Sequence, residues 1–223
     1  AGHRLPRLES RSQTAPTLAP IPAIASKGAG DLAWIVGRVP EGTNSHTFEP
    51  PPSAAKALAQ ADVVFVNGLK LEDPAQDLAK GNLKSGAEVV SLGDATIAPP
   101  DYVYDFSFPK DGGKPNPHLW TNPPMARRYA EAIKDTLVRR DPPNAAAYQA
   151  NYARFAAKVD ELDGAMKTAT ATLAPEQRKL LTYHDAYAYF AVHFGWTVLG
   201  AIQVSNFEEP KPKEVADLIT QIR

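Results

Sequence analysis

Cysteine is absent from these 223 residues. Its absence removes disulfides, thiolate catalysis and Cys-type zinc sites together, leaving His, Asp and Glu as candidate metal ligands. An excess of charge is missing too: 24 Lys and Arg stand against 25 Asp and Glu, scattered rather than blocked, for a formal net charge of −1. Such a surface lacks the electrostatic footprint of a binder of nucleic acid or of anionic membrane, and neither partner is expected. No stretch reaches the apolar length of a membrane span, and no signal peptide is visible, so any targeting segment is expected to have been removed or to lie outside the sequence. The 43% of hydrophobic residues suffices for a sizeable core in one large domain or two modest lobes. Residues 1–13, with Arg4, Pro6, Arg7 and Arg11 and little apolar content, read as a flexible or processed end that includes His3.

Short apolar runs at Trp34 to Val39, Asp62 to Asn67, Val89 to Leu92, Leu180 to Tyr183 and Trp196 to Ile202 read as buried strands. They alternate with helical patterns, the signature of βαβ units. Ser53 is a candidate N-cap for a helix over Ala54 to Ala61, and Asn122 with Pro123 opens another whose Met125, Tyr129, Ile133 and Leu137 form one apolar stripe. Asp141-Pro142-Pro143 starts a third helix running to about Leu173. Its roughly 30 residues would span about 45 Å, more than one small lobe needs. Tyr148, Tyr152, Phe155, Val159, Leu162 and Met166 fall on one stripe, expected to be buried along the whole length, with Gly164 a point of slight bending. The reading is an α/β protein of two lobes with mainly parallel sheets, joined by a single long rigid helix. The expected boundaries are 1–141 for the N-terminal lobe, 142–173 for the helix and 174–223 for the C-terminal lobe.

Three of the five histidines stand in separate motifs: Gly42-Thr43-Asn44-Ser45-His46-Thr47-Phe48-Glu49-Pro50, Asn116-Pro117-His118-Leu119-Trp120 and Tyr183-His184-Asp185-Ala186-Tyr187. Only folding can bring them together. Imidazole is the commonest borderline ligand for a divalent transition metal, and three of them most naturally hold Zn²⁺. Two of them also have a plain alternative: His46 as a turn residue in water, His118 as a cap for the helix near Pro123. Both His46 and His184 are expected at carboxyl ends of strands, where open α/β sheets bind ligands. Trp120 is placed to wall off solvent beside His118. Asp185 reads as complementing the dipole of the following helix. His193, mid-helix, is left out. The 21 prolines, clustered around these motifs, stiffen the loops and so lower the entropy lost on binding. A zinc hydrolase would use the same three histidines, but no His-Glu-x-x-His helix or Gly-x-Ser-x-Gly elbow is present, and Ala87 stands where a P-loop needs Lys.

Together with Ala61-Asp62-Val63-Val64-Phe65-Val66-Asn67-Gly68-Leu69-Lys70-Leu71-Glu72, these motifs resemble, in order and spacing, the metal-binding subunits of bacterial ABC importers for zinc or manganese, the cluster A-I solute-binding proteins. The likeness runs from about Pro16 to the C-terminus. It implies a monomeric, non-enzymatic receptor, periplasmic or on the outer face of the cell membrane and lipid-anchored in some relatives, that captures a metal between its lobes and hands it to a membrane permease. Some relatives have been called adhesins, so a metal-stapled adhesin is a further alternative. The resemblance assigns His46, His118 and His184 as ligands. Zinc-type members have His at the third position where manganese-type members have Glu, so Zn²⁺ is expected ahead of Mn²⁺. The family's fourth ligand, a carboxylate, comes from further into the C-terminal lobe than this chain extends. Either the sequence is truncated after Arg223, or water, Glu208, Glu209 or another group completes the shell. Tyr102 to Pro115 holds no histidine, so the histidine-rich loop of many zinc-type members is expected to be absent. Glu72 reads as structural. Three imidazoles that must stay neutral to bind imply an affinity falling below pH ~6.5.

Overall fold

The computed structural model describes residues 12–16, 20–35, 46–47, 49–203 and 210–222. Its elements run β1 (Ser12–Pro16), α1 (Pro20–Ala29), β2 (Ala33–Ile35), α2 (Pro52–Leu58), β3 (Val63–Val66), α3 (Asp73–Asn82), β4 (Glu88–Ser91), α4 (Pro123–Arg140), α5 (Ala145–Ala171), β5 (Lys179–Thr182), α6 (Ala188–Phe194), β6 (Thr197–Ala201) and α7 (Pro212–Ile222). The first four strands form one parallel sheet in the order β2-β1-β3-β4, and β5 pairs with β6 in a second parallel sheet.

The first sheet is covered on both faces, and β3 shows why its sequence is an unbroken apolar run. Val63, Val64, Phe65 and Val66 are all 0% exposed. Val63 and Phe65 pack with Ile21 and Ile24 of α1, Tyr129 and Ile133 of α4 and Tyr148 of α5, whereas Val64 and Val66 pack with Leu58 of α2 and Ala79 of α3. Side chains alternate across a strand, so an apolar residue at every position serves both faces. Burying Phe65 alone contributes roughly 2–3 kcal/mol. On α4 the stripe of Tyr129, Ile133 and Leu137 is buried as its spacing requires, and Asn122 caps the helix by accepting from the Met125 amide at 3.3 Å.

Several expectations need correction. Ser12 and Gln13, assigned to a flexible end, lie in β1 at the centre of the sheet, paired with Ala33 and Trp34. The run SQTAP lacks apolar character, so only its neighbours mark it as a strand. The helix α1, whose Ile21, Ile24, Ala25 and Ala29 enter the core, lay unread between two prolines at its start. Ser53 lies within α2 rather than at its N-cap. Val36 to Val39 of the first expected strand lie outside the described residues. The long helix α5 has 27 residues, about 40 Å, and runs unbroken through Gly164. Its stripe is buried only in the first half: Tyr148 is 0% and Val159 9% exposed, but Leu162 is 53% exposed. Beyond Val159 polar contacts replace packing, with Asp163 bonding His193 of α6 at 2.6 Å and Thr170 accepting from the Trp196 indole at 3.2 Å.

Candidate metal centre

Each histidine arrives from a different part of the fold. His46 lies in the connection between β2 and α2, His118 in the long segment between β4 and α4, and His184 two residues past the end of β5. The structure brings the three together: Nε2 of His46 is 3.2 Å from Nε2 of His118 and 3.1 Å from Nε2 of His184, and the last two are 2.9 Å apart. His118 is 2% exposed, while His46 and His184 are partly buried. Tetrahedral zinc with ~2.0–2.1 Å bonds separates its nitrogen ligands by about 3.3 Å, so the triangle nearly matches that coordination. Among the described residues this is the one group of three or more His, Asp or Glu side chains placed to share a cation.

The Asn67 to Glu72 turn builds the floor. Glu72, 3% exposed, accepts from the backbone N–H groups of Asn67 (2.5 Å) and Gly68 (3.2 Å). These bonds hold a left-handed run at Gly68 (φ 77°), Leu69 (φ 53°) and Lys70 (φ 65°), a conformation costly for the last two. A Cβ on Gly68 would meet Ser91 Oγ at 1.9 Å, so any other residue there would have to displace that hydroxyl and adopt a strained left-handed φ. Glu72 is therefore structural here. The turn also aims Asn67, fully buried, whose amide donates to the Pro117 carbonyl at 3.0 Å and accepts from Tyr129 Oη at 2.6 Å. The segment bearing His118 is thereby anchored to the core.

Hydrogen bonds set the tautomers. Asn116 Oδ1 lies 3.1 Å from the His118 backbone nitrogen and 2.7 Å from His118 Nδ1, while its Nδ2 lies 3.0 Å from the Asp185 carbonyl oxygen. A backbone N–H only donates and a carbonyl only accepts, so the amide has one possible orientation, and Oδ1 must receive a proton from Nδ1. The His118 Nε2 lone pair then faces the cluster. Gln203 Oε1 lies 2.6 Å from His184 Nδ1 and sets the same tautomer there. Two lone pairs 2.9 Å apart repel unless an electrophile lies between them. Burial first, then the neighbouring histidines, holds His118 well below its usual pKa, and burial, His184 and Lys114 lower His46 to about 3. Both imidazoles are neutral at pH 7, the state that binds a metal ion.

Aromatic rings close the walls. Phe108, 6% exposed, lies with its ring centroid 5.6 Å from those of both His46 and His118, and Trp120 stands edge-on to His118 at 5.1 Å. His118 does not cap α4; its ring turns into the cluster and Asn122 takes that role. Asp185 needs correction as well. It precedes α6, whose first turn contains no acidic residue, and it accepts from the Ser107 N–H at 3.0 Å instead of complementing a helix dipole. At 1% exposure it lies beside Asp105, whose carboxyl is pushed up to about 7 by burial and by the Asp185 charge. His193 is satisfied by Asp163. His3, Gly42 to Ser45, Glu208 and Glu209 lie outside the described residues. The sequence reading passed over Asn116, Gln203 and Phe108 as functional residues. Asn116 had a local signal, since an Asn side chain commonly bonds the N–H two residues on; Gln203 and Phe108 had none.

The model of the ZnuA family, described as zinc-uptake complex component A, periplasmic, matches residues 16–223. The manganese-binding lipoprotein MntA of Halalkalibacterium halodurans is 30% identical over 87% of this chain and 62% of its own length. An iron ABC transporter substrate-binding lipoprotein, MtsA of Streptococcus pyogenes, is 26% identical over 87% of this chain and 63% of its own length. The chain thus spans under two thirds of these curated relatives. A crystal structure of ZnuA superposes with a TM-score of 0.81 at 26% identity, over 94% of this chain and 77% of that one.

Proposed function

We propose, from the premise that this chain belongs to the periplasmic zinc-uptake component A family, that it captures a divalent transition metal at His46, His118 and His184 and delivers it to an ABC-type membrane permease. The single observation that carries the reading is the set of three converging Nε2 atoms, two of them held as lone pairs by Asn116 and Gln203. Binding is the whole chemistry; no bond is made or broken, and the chain is read as a receptor rather than an enzyme. The relatives carry names citing manganese and iron as well as zinc. Zn²⁺ is favoured here because an all-imidazole set suits it, whereas Mn²⁺ prefers more oxygen. The names of the relatives as lipoproteins support a place on the outer side of the cell membrane, with a lipid anchor.

The boundaries 1–141, 142–173 and 174–223 are proposed as N-terminal lobe, linking helix and C-terminal lobe. The test is titration calorimetry with Zn²⁺ and with Mn²⁺. Wild type is expected to bind zinc more tightly, and His118→Ala to lose at least about tenfold in zinc affinity while keeping its circular dichroism spectrum. Equal zinc affinity in His118→Ala and wild type would remove His118 from the site, and tighter manganese binding would reverse the preference.

A further inference from the structure

Asn116 is 0% exposed and makes four hydrogen bonds, all that a primary amide can make well. Oδ1 takes protons from the His118 backbone nitrogen and from His118 Nδ1. Nδ2 gives one proton to Asp105 Oδ2 at 2.7 Å and the other to the Asp185 carbonyl at 3.0 Å. The first pair of bonds belongs to the part of the chain before α5. The Asp185 carbonyl belongs to the part after it, one residue from His184. A single planar group therefore touches an imidazole from one half and the main chain that carries an imidazole from the other.

We infer that Asn116 is a positioning residue that sets the spacing between His118 and His184, and through that spacing the rate at which the site releases its metal ion. The inference rests on the reading of the three histidines as a metal site. Geometry supports it over a merely local role. A residue needed only to hold the His118 tautomer requires an acceptor, and any carboxylate or backbone carbonyl supplies one. The two donors of Asn116 add something different, because they face acceptors that an oxygen in the same place would repel. A fully bonded planar amide also cannot turn without breaking bonds on both sides, so His118 and the His184 segment move together or the link breaks. The 2.9 Å separation of their Nε2 atoms is the shortest edge of the triangle, and it is the edge that Asn116 spans.

The experiment separates the two halves of the amide. Asn116→Asp keeps an acceptor for His118 but turns the donors toward Asp105 and Asp185 into a repelling oxygen; Asn116→Ala removes both. In ¹⁵N spectra of metal-free protein, the Nδ1–H tautomer of His118 is expected to persist in Asn116→Asp and to become mixed in Asn116→Ala. Zinc affinity is expected to fall about 10–100-fold in both, with most of the loss in Asn116→Asp appearing as faster dissociation measured by chelator competition. His118→Ala is run in parallel. If it loses zinc while Asn116→Asp keeps the wild-type affinity and dissociation rate, the role of Asn116 is overturned and the site stands. If His118→Ala itself binds zinc like wild type, the site reading fails first. Should neither Asn116 variant fold, wild type decides: the side-chain amide protons of Asn116 are expected to exchange more slowly with zinc bound, and unchanged exchange overturns the proposal.

Discussion

The two sheets differ in how completely they are covered. In the first, β3 is wholly buried between α1, α4 and α5 on one face and α2 and α3 on the other. In the second, β5 and β6 have mostly partial burial, the register shifts between Leu180 and Leu181, and neighbouring Tyr183 is 49% exposed. The second part is held to the first through α6: Tyr189, 2% exposed, joins the main core, its hydroxyl accepts from the Val103 N–H, and its carbonyl accepts from Asn122. The difference teaches where the proposed metal binding would act. His46 and His118 come from the well-packed side, His184 from the lightly packed one, so a shared ion adds most to the stability of the latter.

Phe65→Ala attacks the covered sheet and is expected to cost about 3–5 kcal/mol in denaturant unfolding, whereas Leu180→Ala in β5, only partly buried, is expected to cost less than half as much. Equal losses would erase the contrast. Acid is expected to act next in size. His46 has its pKa lowered to about 3 in the folded chain against 6.5, so the unfolded state binds the extra proton between those values. Its contribution to stability is full above pH 6.5 and is lost as pH falls toward 3, a loss on the order of 4 kcal/mol. The difference in metal-free stability between wild type and His46→Gln, followed by urea unfolding across that range, measures it; a flat difference contradicts the burial of His46. At His46 and His118 the same lowering means that protons compete with a metal ion only well below pH 6.5.

Zinc at a hundred times its dissociation constant is expected to add about 2.7 kcal/mol to unfolding. In hydrogen exchange the added protection is expected mainly in residues 179–203, with β3 and β4 little changed. Uniform protection would show the two parts to be one cooperative unit. The smallest effect belongs to His193→Ala, which breaks the bond between α6 and Asp163 and is expected to cost at most about 1 kcal/mol and to leave zinc affinity unchanged.

Much of the frame was legible from residues. Val63 to Val66, the Tyr129, Ile133, Leu137 stripe and the Asn122 cap carry local signals that packing merely completes. Where local signal was weak, the reading failed. The strand β1 is polar in sequence and is a strand because β2 and β3 flank it. The far half of α5 has apolar residues at the right spacing but no partner layer to bury them, so Leu162 faces solvent.

For the site, residue type and strand-end position singled out His46, His118 and His184, since imidazole chemistry belongs to the side chain itself. Which nitrogen faces the cluster, and how near the rings approach, depends on Asn116, Gln203, Phe108 and Asp185, residues up to 78 positions from their partners. Hydrogen-bond direction and burial are properties of neighbours in space. The order of amino acids thus named the candidate ligands and the α/β frame, and tertiary structure alone decided the tautomers of His118 and His184, the neutral charge of His46 and His118 and the spacing of all three, because each is set by groups that only folding brings within reach.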